Sequence, residues 1–277
     1  MAREPVLLAE GDGGLLTLTL NRPEALNALG RGMGASLNSE LARAARDPRV
    51  RAVLVTGNGR AFCSGGDMKS RGKPDASELL AAELGEDPVW NSTEMRVARM
   101  NEGAATFLHL RAMAKPTVAA INGLAIGAGN ALALACDIRL MSDQAWLNFA
   151  YAGQALSGTS GLAWYLTNVV GTAKARDLMF FPRRIDAEEA LALGLVHRVV
   201  PHEKLREEAT ALARQLAEGP TLAYGHIKEN LNAALVQDAA AVNDLESRNY
   251  VRCTQTEDYA EAMDAFRNKR DPVFKGR

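Results

Sequence analysis

The sequence predicts an α/β protein in which short parallel strands alternate with helices. Apolar runs of the buried-strand type recur through the first half of the chain, at Arg51–Thr56, Thr117–Asn122 and Asp137–Met141. A helix of small residues, Gly127–Ala135, separates the last two runs. Strands separated by helices pair in parallel through crossover connections. From Thr159 onward the pattern is almost entirely helical, which predicts a helical region after the sheet.

The chain opens with a predicted hairpin and an amphipathic helix. Val6–Ala9 and Leu15–Leu20 are apolar runs joined by Gly11-Asp12-Gly13-Gly14, a pattern typical of a hairpin. Asn21-Arg22-Pro23 ends the second run. The apolar periodicity around Ser36–Ala45 then predicts a helix that places one face on the core.

The second half is predicted to be helical, with a single strand at Val196–Val200. We therefore expect a core of residues 1–200 followed by a helical region of residues 201–277. The predicted helices are Ser160–Val170, Ala173–Phe180, Ala187–Leu193, His202–Ala217, Thr221–Leu235, Asp238–Arg252 and Glu257–Asn268. The irregular stretch Arg71–Asn91 is rich in acids, and a loop of this length is either functional or mobile, or simply a solvated acidic loop.

Charge and hydropathy exclude several classes of protein. The 277 residues carry 32 Lys+Arg and 33 Asp+Glu, a net charge of −1, whereas nucleic-acid binders usually have a basic surplus. No apolar run approaches the roughly 20 residues that a membrane span needs. The first residues, Met1-Ala-Arg-Glu-Pro, lack the apolar stretch of a signal peptide. We expect a cytoplasmic protein that binds neither nucleic acid nor membrane.

The cysteines and histidines do not indicate a metal site. Cys63, Cys136 and Cys253 are odd in number and far apart, which fits neither a disulfide framework nor a CxxC pair. The four histidines are scattered and show no HExxH spacing. Cys63 has no neighbour in sequence that would lower its pKa, so we interpret it as a small buried residue.

Two glycine-rich turns are the main candidates for a site. Ala61–Asp67 and Ile126–Asn130 each follow a predicted strand and place small residues where backbone N–H groups can approach a ligand. The second turn opens a helix, whose dipole favours negative charge. Two such N–H groups facing each other would hold a carbonyl oxygen as it becomes an oxyanion. Taken alone, each turn is more often just a tight connection, and a nucleotide site is disfavoured because no GxGxxG or GK[ST] motif occurs.

The order of several motifs resembles the crotonase (enoyl-CoA hydratase/isomerase) superfamily over about residues 5–275. These motifs are Leu20–Leu29 (LNRPEALNAL), Gly59–Asp67 (GRAFCSGGD), Lys115-Pro116-Thr117, Asn122-Gly123, Gly127-Ala128-Gly129-Asn130, Cys136-Asp137, the spaced residues Ala187, Ala190 and Gly194-Leu195-Val196, and Phe266 with Lys269-Arg270. The resemblance implies a spiral of repeated ββα units with a C-terminal helical region that forms trimers, often paired as hexamers. It also implies an acyl-CoA thioester substrate, with coenzyme A as part of the substrate and no separate cofactor.

The resemblance also assigns residues to the site. It implies that the N–H groups of Ser64 and Ala128 form an oxyanion hole for a thioester enolate. The residues implied along coenzyme A are Arg22, Glu24, Ala25 and Leu26, with Ala61, Phe62, Gly65, Gly66, Asp67 and Met68 around its adenine and pantetheine. Gly127, Asn130 and Thr159 would complete the substrate site, and Lys69 or Arg60 would either meet a phosphate or be a solvated surface charge.

The chain departs from the family pattern at the catalytic acids. Hydratases of this family use two glutamates, and the matching positions here hold Ala131 and Tyr151; a third acid position, used by other members, falls near Thr159. No glutamate occurs between Glu102 and Glu188. Because general acid–base catalysis contributes roughly 10²–10⁴-fold in rate, we expect inefficient hydration.

Tyr151 is the candidate replacement as a proton donor or orienting group, although a core tyrosine is an equally good interpretation. The loop acids Glu78, Glu83 and Glu86 are further candidates. Three hypotheses follow: an isomerase, decarboxylase or C–C lyase/hydrolase acting on an acyl-CoA; a catalytically degenerate acyl-CoA binder; or a hydratase whose acids come from other positions.

Overall fold

The computed structural model describes residues 4–30, 32–67 and 87–277. The strands in this part of the chain are β1 (Leu7–Asp12), β2 (Leu15–Leu20), β3 (Ala52–Gly57), β4 (Ala61–Cys63), β5 (Thr117–Ile121), β6 (Leu124–Ile126), β7 (Ile138–Ser142), β8 (Leu147–Asn148) and β9 (Arg198–Val200). The helices are α1 (Met33–Arg46), α2 (Thr93–Ala112), α3 (Ala128–Ala135), α4 (Leu162–Phe180), α5 (Ala187–Ala192), α6 (Leu205–Glu218), α7 (Thr221–Ala233), α8 (Ala239–Thr254) and α9 (Glu257–Asn268).

The strands form two sheets that the chain visits alternately. The larger sheet has six strands in the order β1-β2-β3-β5-β7-β9, and the smaller has three in the order β4-β6-β8. Each of the pairs β3/β4, β5/β6 and β7/β8 gives one strand to each sheet, and α2, α3 and α4 follow these pairs in turn. The result is a spiral of three ββα units, which confirms the predicted α/β class.

The predicted hairpin and parallel strands are confirmed. β1 pairs antiparallel with β2, from Leu7 opposite Leu20 to Asp12 opposite Leu15. The remaining neighbours in the large sheet pair in parallel. The two predicted helices Ser160–Val170 and Ala173–Phe180 are one element, α4, interrupted at Gly171, where φ is +76°.

The large sheet is buried on both faces. In β3, Val53 and Val55 belong to a core with α1, α2 and α3, whereas Leu54 points to the other face and packs with α6. Alanines of α6, among them Ala209 and Ala213, let that helix lie close to the sheet. This two-sided burial explains why β3 is a continuous apolar run without polar alternation.

The sequence reasoning missed the small sheet and most of α2. β4, β6 and β8 have only three, three and two residues, too few to produce an alternating pattern. α2 begins at an N-cap, where the Ser92 hydroxyl accepts a hydrogen bond from the Met95 N–H. Polar and apolar residues are mixed along it, so that its periodicity is weak.

The C-terminal helices expose large apolar side chains. Phe266 on α9 is 81% exposed, and Tyr250 and Val251 on α8 are exposed as well. Among the helices of residues 4–30, 32–67 and 87–277, none is both long enough and apolar enough to cross a membrane.

A buried ion pair attaches α7 to the sheet. The Lys228 ammonium donates to Asp137 Oδ2 at 2.8 Å, and also to the backbone carbonyls of Leu110 and Lys115. The same carboxylate oxygen accepts from the N–H and hydroxyl of Thr117, each at 2.8 Å. Burial lowers the pKa of Lys228, and the Asp137 carboxylate opposes that shift. Asp137 is therefore a structural acid that attaches α7 to the sheet.

Replacing Lys228 by alanine is expected to lower the free energy of unfolding by about 3 kcal/mol, because a partly buried carboxylate loses its cation. Urea denaturation followed by circular dichroism measures the effect. Lys174→Ala is the matched control, since the Lys174–Asp177 pair is exposed on α4 and such pairs contribute about 0–1 kcal/mol. Equal losses in the two variants would contradict a specific role for the buried pair.

Candidate active site

The two glycine-rich turns touch each other through their backbones. A Cβ on Gly129 would lie 2.1 Å from the Cys63 carbonyl oxygen, and a Cβ on Gly65 would lie 2.6 Å from the Ile126 carbonyl oxygen. Gly65 also has a φ of +84°, which disfavours any side chain. Glycine is therefore required on both sides, and the turns lie as close as their backbones allow.

A cavity of about 310 Å³ opens beside this contact. Both turns, one side of α2 and the segment after β8 form its described walls. The lining residues are Leu29, Ser64, Gly65, Gly66, Asp67, Arg99, Met100, Gly103, Phe107, Ile126, Gly127, Ala128, Ala150, Tyr151, Gln154, Leu156, Thr159 and Ser160. Size and mixed lining are typical of a small-molecule site.

The backbone N–H that the first turn offers to a ligand is not the predicted one of Ser64. The Ser64 N–H donates to the Leu26 carbonyl at 3.0 Å, so it is not available to a ligand and its assignment as an oxyanion donor is wrong. The Gly66 N–H has no acceptor among the described residues. Gly66 is also exposed, and a Cβ there would meet nothing within 4 Å. The free donor of this turn is therefore that of Gly66, two residues further along.

The second turn presents the predicted donor. Ala128 is the first residue of α3, where N–H groups have no partner within the helix. Its N–H finds no acceptor elsewhere in the described part of the chain. The position of a Cβ on Gly65 lies 3.2 Å from the Ala128 nitrogen, so the two turns bring their donors to one cavity wall.

Arg22 and Asp67 form a buried ion pair behind the first turn. The Arg22 side chain is 5% exposed and donates to the carbonyls of Ala28 and Gly30 as well as to Asp67 Oδ2 at 3.0 Å. The prediction that Arg22 lies along coenzyme A is corrected, because its buried guanidinium donates hydrogen bonds to groups of the protein itself. Asp67 is the one carboxylate in the described cavity walls, and its charge is balanced by Arg22.

Asn130 also has a structural position. Its side chain is buried and donates from Nδ2 to the Asn148 carbonyl at 2.8 Å. The Gly127 N–H donates to that same carbonyl at 3.0 Å. Asn130 thus attaches the second turn to β8, and the prediction that it contacts substrate is corrected, since it lies outside the cavity lining.

The three positions at which the family carries catalytic acids differ in whether they line the cavity. Ala131 is fully buried inside α3 and does not line the cavity, whereas Tyr151 and Thr159 do. The Tyr151 ring lies against the second turn: a Cβ on Gly127 would be 3.5 Å from Cζ and 3.7 Å from the hydroxyl oxygen. Tyr151 is thus both a largely buried residue and a wall of the cavity, so the two interpretations of it are compatible.

The other predicted contact residues lie around the cavity without lining it. Ala61 and Phe62 are completely buried, so that their side chains have no access to a ligand and this prediction is corrected. Glu24 is exposed, and Ala25 and Leu26 are half-buried beside the first turn. Met68, Lys69, Glu78, Glu83 and Glu86 lie outside the described residues.

Residues of α2 are the part of the site that sequence reasoning missed. Arg99, Gly103 and Phe107 follow one another at a spacing of four residues and all line the cavity. This i, i+4, i+8 spacing was a usable signal, because such residues share one face of a helix. Gln154 and Leu156, after β8, were missed because the segment is short and irregular.

Cys63 is confirmed as a small buried residue. Burial raises the pKa of its thiol to about 12, against a smaller lowering by a hydrogen bond from the Gly65 backbone. The thiolate, which is the nucleophilic form, is therefore scarce near neutral pH.

Comparisons with known proteins establish the family of this chain. The family model described as enoyl-CoA hydratase/isomerase matches residues 10–277. The chain belongs to the enoyl-CoA hydratase/isomerase family. It is an acyl-CoA-processing protein of that family, and its spiral of ββα units is the crotonase fold.

Relatives in this family match over nearly the whole chain. The 1,2-epoxyphenylacetyl-CoA isomerase of Escherichia coli K12 is 35% identical over 272 residues, 98% of each chain. A probable enoyl-CoA hydratase of Rhodobacter capsulatus is 35% identical over 264 residues, 95% of each.

Solved structures of the family superpose on the chain. The enoyl-CoA hydratase of Bacillus anthracis gives a TM-score of 0.87 at 28% identity, covering 99% of this chain and 100% of that one. An enoyl-CoA hydratase of Polaromonas sp. JS666 gives 0.84 at 32% identity, covering 97% and 99%.

Proposed function

We propose that this protein stabilises a thioester enolate with the N–H groups of Gly66 and Ala128, and that it is not an efficient hydratase. The observation that supports this is the combination of two backbone donors that have no acceptor among the described residues with a cavity whose described walls offer no available carboxylate. The reactions that fit are isomerisation, decarboxylation and C–C bond cleavage of an acyl-CoA.

The donors suit a negative charge that develops during reaction. When a bond to the α-carbon of a thioester breaks, its electron pair moves into the carbonyl group and the oxygen becomes an oxyanion. Two fixed N–H groups in a partly closed cavity stabilise that charge without reorganising. The α3 dipole acts in the same direction at Ala128, the first residue of the helix.

Hydration requires a base and an acid, and the described walls of the cavity offer no available carboxylate for these roles. Water must lose a proton as it attacks, and the carbon next to the thioester must gain one. Ala131 cannot exchange protons, and Asp67 is paired with Arg22 at 3.0 Å. In decarboxylation, by contrast, the C–C electron pair forms the enolate as CO₂ leaves, so that no base is required and one later proton completes the reaction.

Tyr151 is the residue we assign to that proton. Its hydroxyl lies near the turn that carries the Ala128 donor, as the 3.7 Å distance from a Cβ on Gly127 indicates. The E. coli relative named as an isomerase supports chemistry other than hydration within this family.

We also propose a cytoplasmic homotrimer or a dimer of trimers. The exposed apolar side chains of α8 and α9 support an association through the C-terminal helices. Mass-spectrometric screening of acyl-CoA thioesters for conversion to product is the first experiment, because it identifies the acyl group that the protein accepts. A protein that binds thioesters but converts none would instead be an acyl-CoA binder.

Crotonyl-CoA is expected to be hydrated at least about 10²-fold more slowly than by a hydratase that keeps both glutamates, because the two residues that activate water and donate the proton are replaced by Ala131 and Tyr151. The loss of absorbance of the enoyl thioester at equal enzyme concentrations measures the rates. Turnover equal to that of the reference enzyme would contradict the proposal.

Ala128→Pro is expected to lower kcat by about 10²–10³-fold on the thioester that the screen identifies, because it removes one oxyanion donor. Proline is favoured at the first position of a helix, so the fold should tolerate the change. Ala239→Pro, at the first position of α8, is the matched control and should keep full activity. A folded Ala128→Pro protein with unchanged kcat would refute the role of this donor.

Tyr151→Phe is expected to lower kcat by about 10²-fold or more with little change in KM, because it deletes the proton donor but preserves the ring. Tyr165→Phe is the matched control: its buried hydroxyl donates to the Phe107 carbonyl at 3.1 Å and lies outside the cavity lining. Steady-state kinetics separates the two variants. If both keep the wild-type kcat, Tyr151 acts only in packing.

A further inference from the structure

Arg99 is the one cationic side chain in the described walls of the cavity. It lies on α2, half-buried, in a wall that also includes Met100, Gly103 and Phe107. The same cavity is lined by Gly66, Ala128 and Tyr151, so Arg99 lines the same space as the groups assigned to the reacting end of the substrate.

The Arg99 guanidinium is held in place by Trp90, and no described carboxylate neutralises it. It stacks over the Trp90 ring, with its central carbon 4.3 Å from the ring centroid, and Nη1 donates to the Trp90 carbonyl at 2.7 Å. Stacking on an aromatic face fixes the plane of the guanidinium and leaves its edges open. Within the described residues, no hydrogen bond from Nε or Nη2 is found and no carboxylate pairs with Arg99.

Asp67 is the one carboxylate in the described walls of the cavity, and no ion pair joins it to Arg99. Asp67 pairs with Arg22, whose guanidinium is itself buried. The two charges of that pair cancel, so the described walls carry one uncompensated positive charge, on Arg99. An oriented guanidinium with free edges in a partly desolvated cavity is suited to bidentate binding of a carboxylate.

We propose that Arg99 binds a carboxylate on the acyl part of the substrate, so that the preferred substrates are CoA monothioesters of dicarboxylic acids. This inference rests on the proposed acyl-CoA chemistry and specifies its substrate class. Apolar Met100 and Phe107 accommodate the methylenes between thioester and carboxylate, and Gln154 and Thr159 add polar side chains to the same walls. A neutral acyl chain of the same length leaves the guanidinium without a partner.

A phosphate of coenzyme A is the other anion that a guanidinium recognises. We favour the acyl carboxylate because Arg99 shares one cavity with both oxyanion donors and Tyr151. The ligands used in the experiment separate these two sources of negative charge.

The test is isothermal titration calorimetry with glutaryl-CoA, the neutral pentanoyl-CoA of equal chain length, and coenzyme A alone. Arg99→Gln is expected to weaken glutaryl-CoA binding by about ten- to a hundredfold, the usual effect of a hydrogen bond to a charged group. Binding of the other two ligands should change less than twofold. Arg99→Lys should give an intermediate loss, because lysine keeps the charge but not the planar fork.

Arg96→Gln is the matched control. Arg96 lies on the same helix, is exposed and does not line the cavity, so this variant should bind all three ligands as the wild-type protein does. Thermal melting of each variant establishes that it is folded.

Four results would overturn the inference. Equal weakening of all three ligands by Arg99→Gln would assign the guanidinium to the coenzyme A moiety, and unchanged binding of glutaryl-CoA would remove Arg99 from recognition. Wild-type protein that prefers pentanoyl-CoA would refute the substrate class but leave the enolate chemistry intact. Wild-type protein that binds neither thioester would refute the proposed function itself, a result distinct from the others.

Discussion

The contact between the backbones of the two glycine-rich turns is the constraint on which the site depends. Gly129 lies against the Cys63 carbonyl and Gly65 against the Ile126 carbonyl, so neither position has room for a Cβ. This contact connects the end of β4 to the start of α3 and fixes both donors in one cavity wall. The buried Arg22–Asp67 pair supports the first turn from behind, and Asn130 supports the second through the Asn148 carbonyl.

The spiral topology explains why these turns meet. β4, β6 and β8 pair in parallel in the small sheet, so that the chain leaves each strand at the same edge. The segments that follow β4 and β6 are the two glycine-rich turns, and the segment that follows β8 carries Tyr151. The cavity thus forms where successive ββα units leave the small sheet, and α2 closes another side.

The sequence alone predicts the parts of this molecule that have a strong local signal. The hairpin, β3, β5 and α9 have clear apolar runs or periodicity, and the motifs predict the family and both turns. Sequence cannot show which N–H of a turn is already bonded: the acceptor of the Ser64 N–H is the Leu26 carbonyl, which only the fold brings near. For the same reason Arg22 looks like a ligand-binding cation in the sequence, although its acceptors are buried inside the protein.

The N–H groups of Gly66 and Ala128, which have no acceptor in the described part of the chain, belong to the main chain, so they persist when side chains change in evolution. An amide N–H does not titrate, so these donors are equally present at every pH at which the protein is folded. Apart from proline, a substitution at either residue leaves the donor itself in place. Variation among relatives is therefore free to alter the surrounding side chains, and with them the reaction, while the electrostatic centre of the site persists.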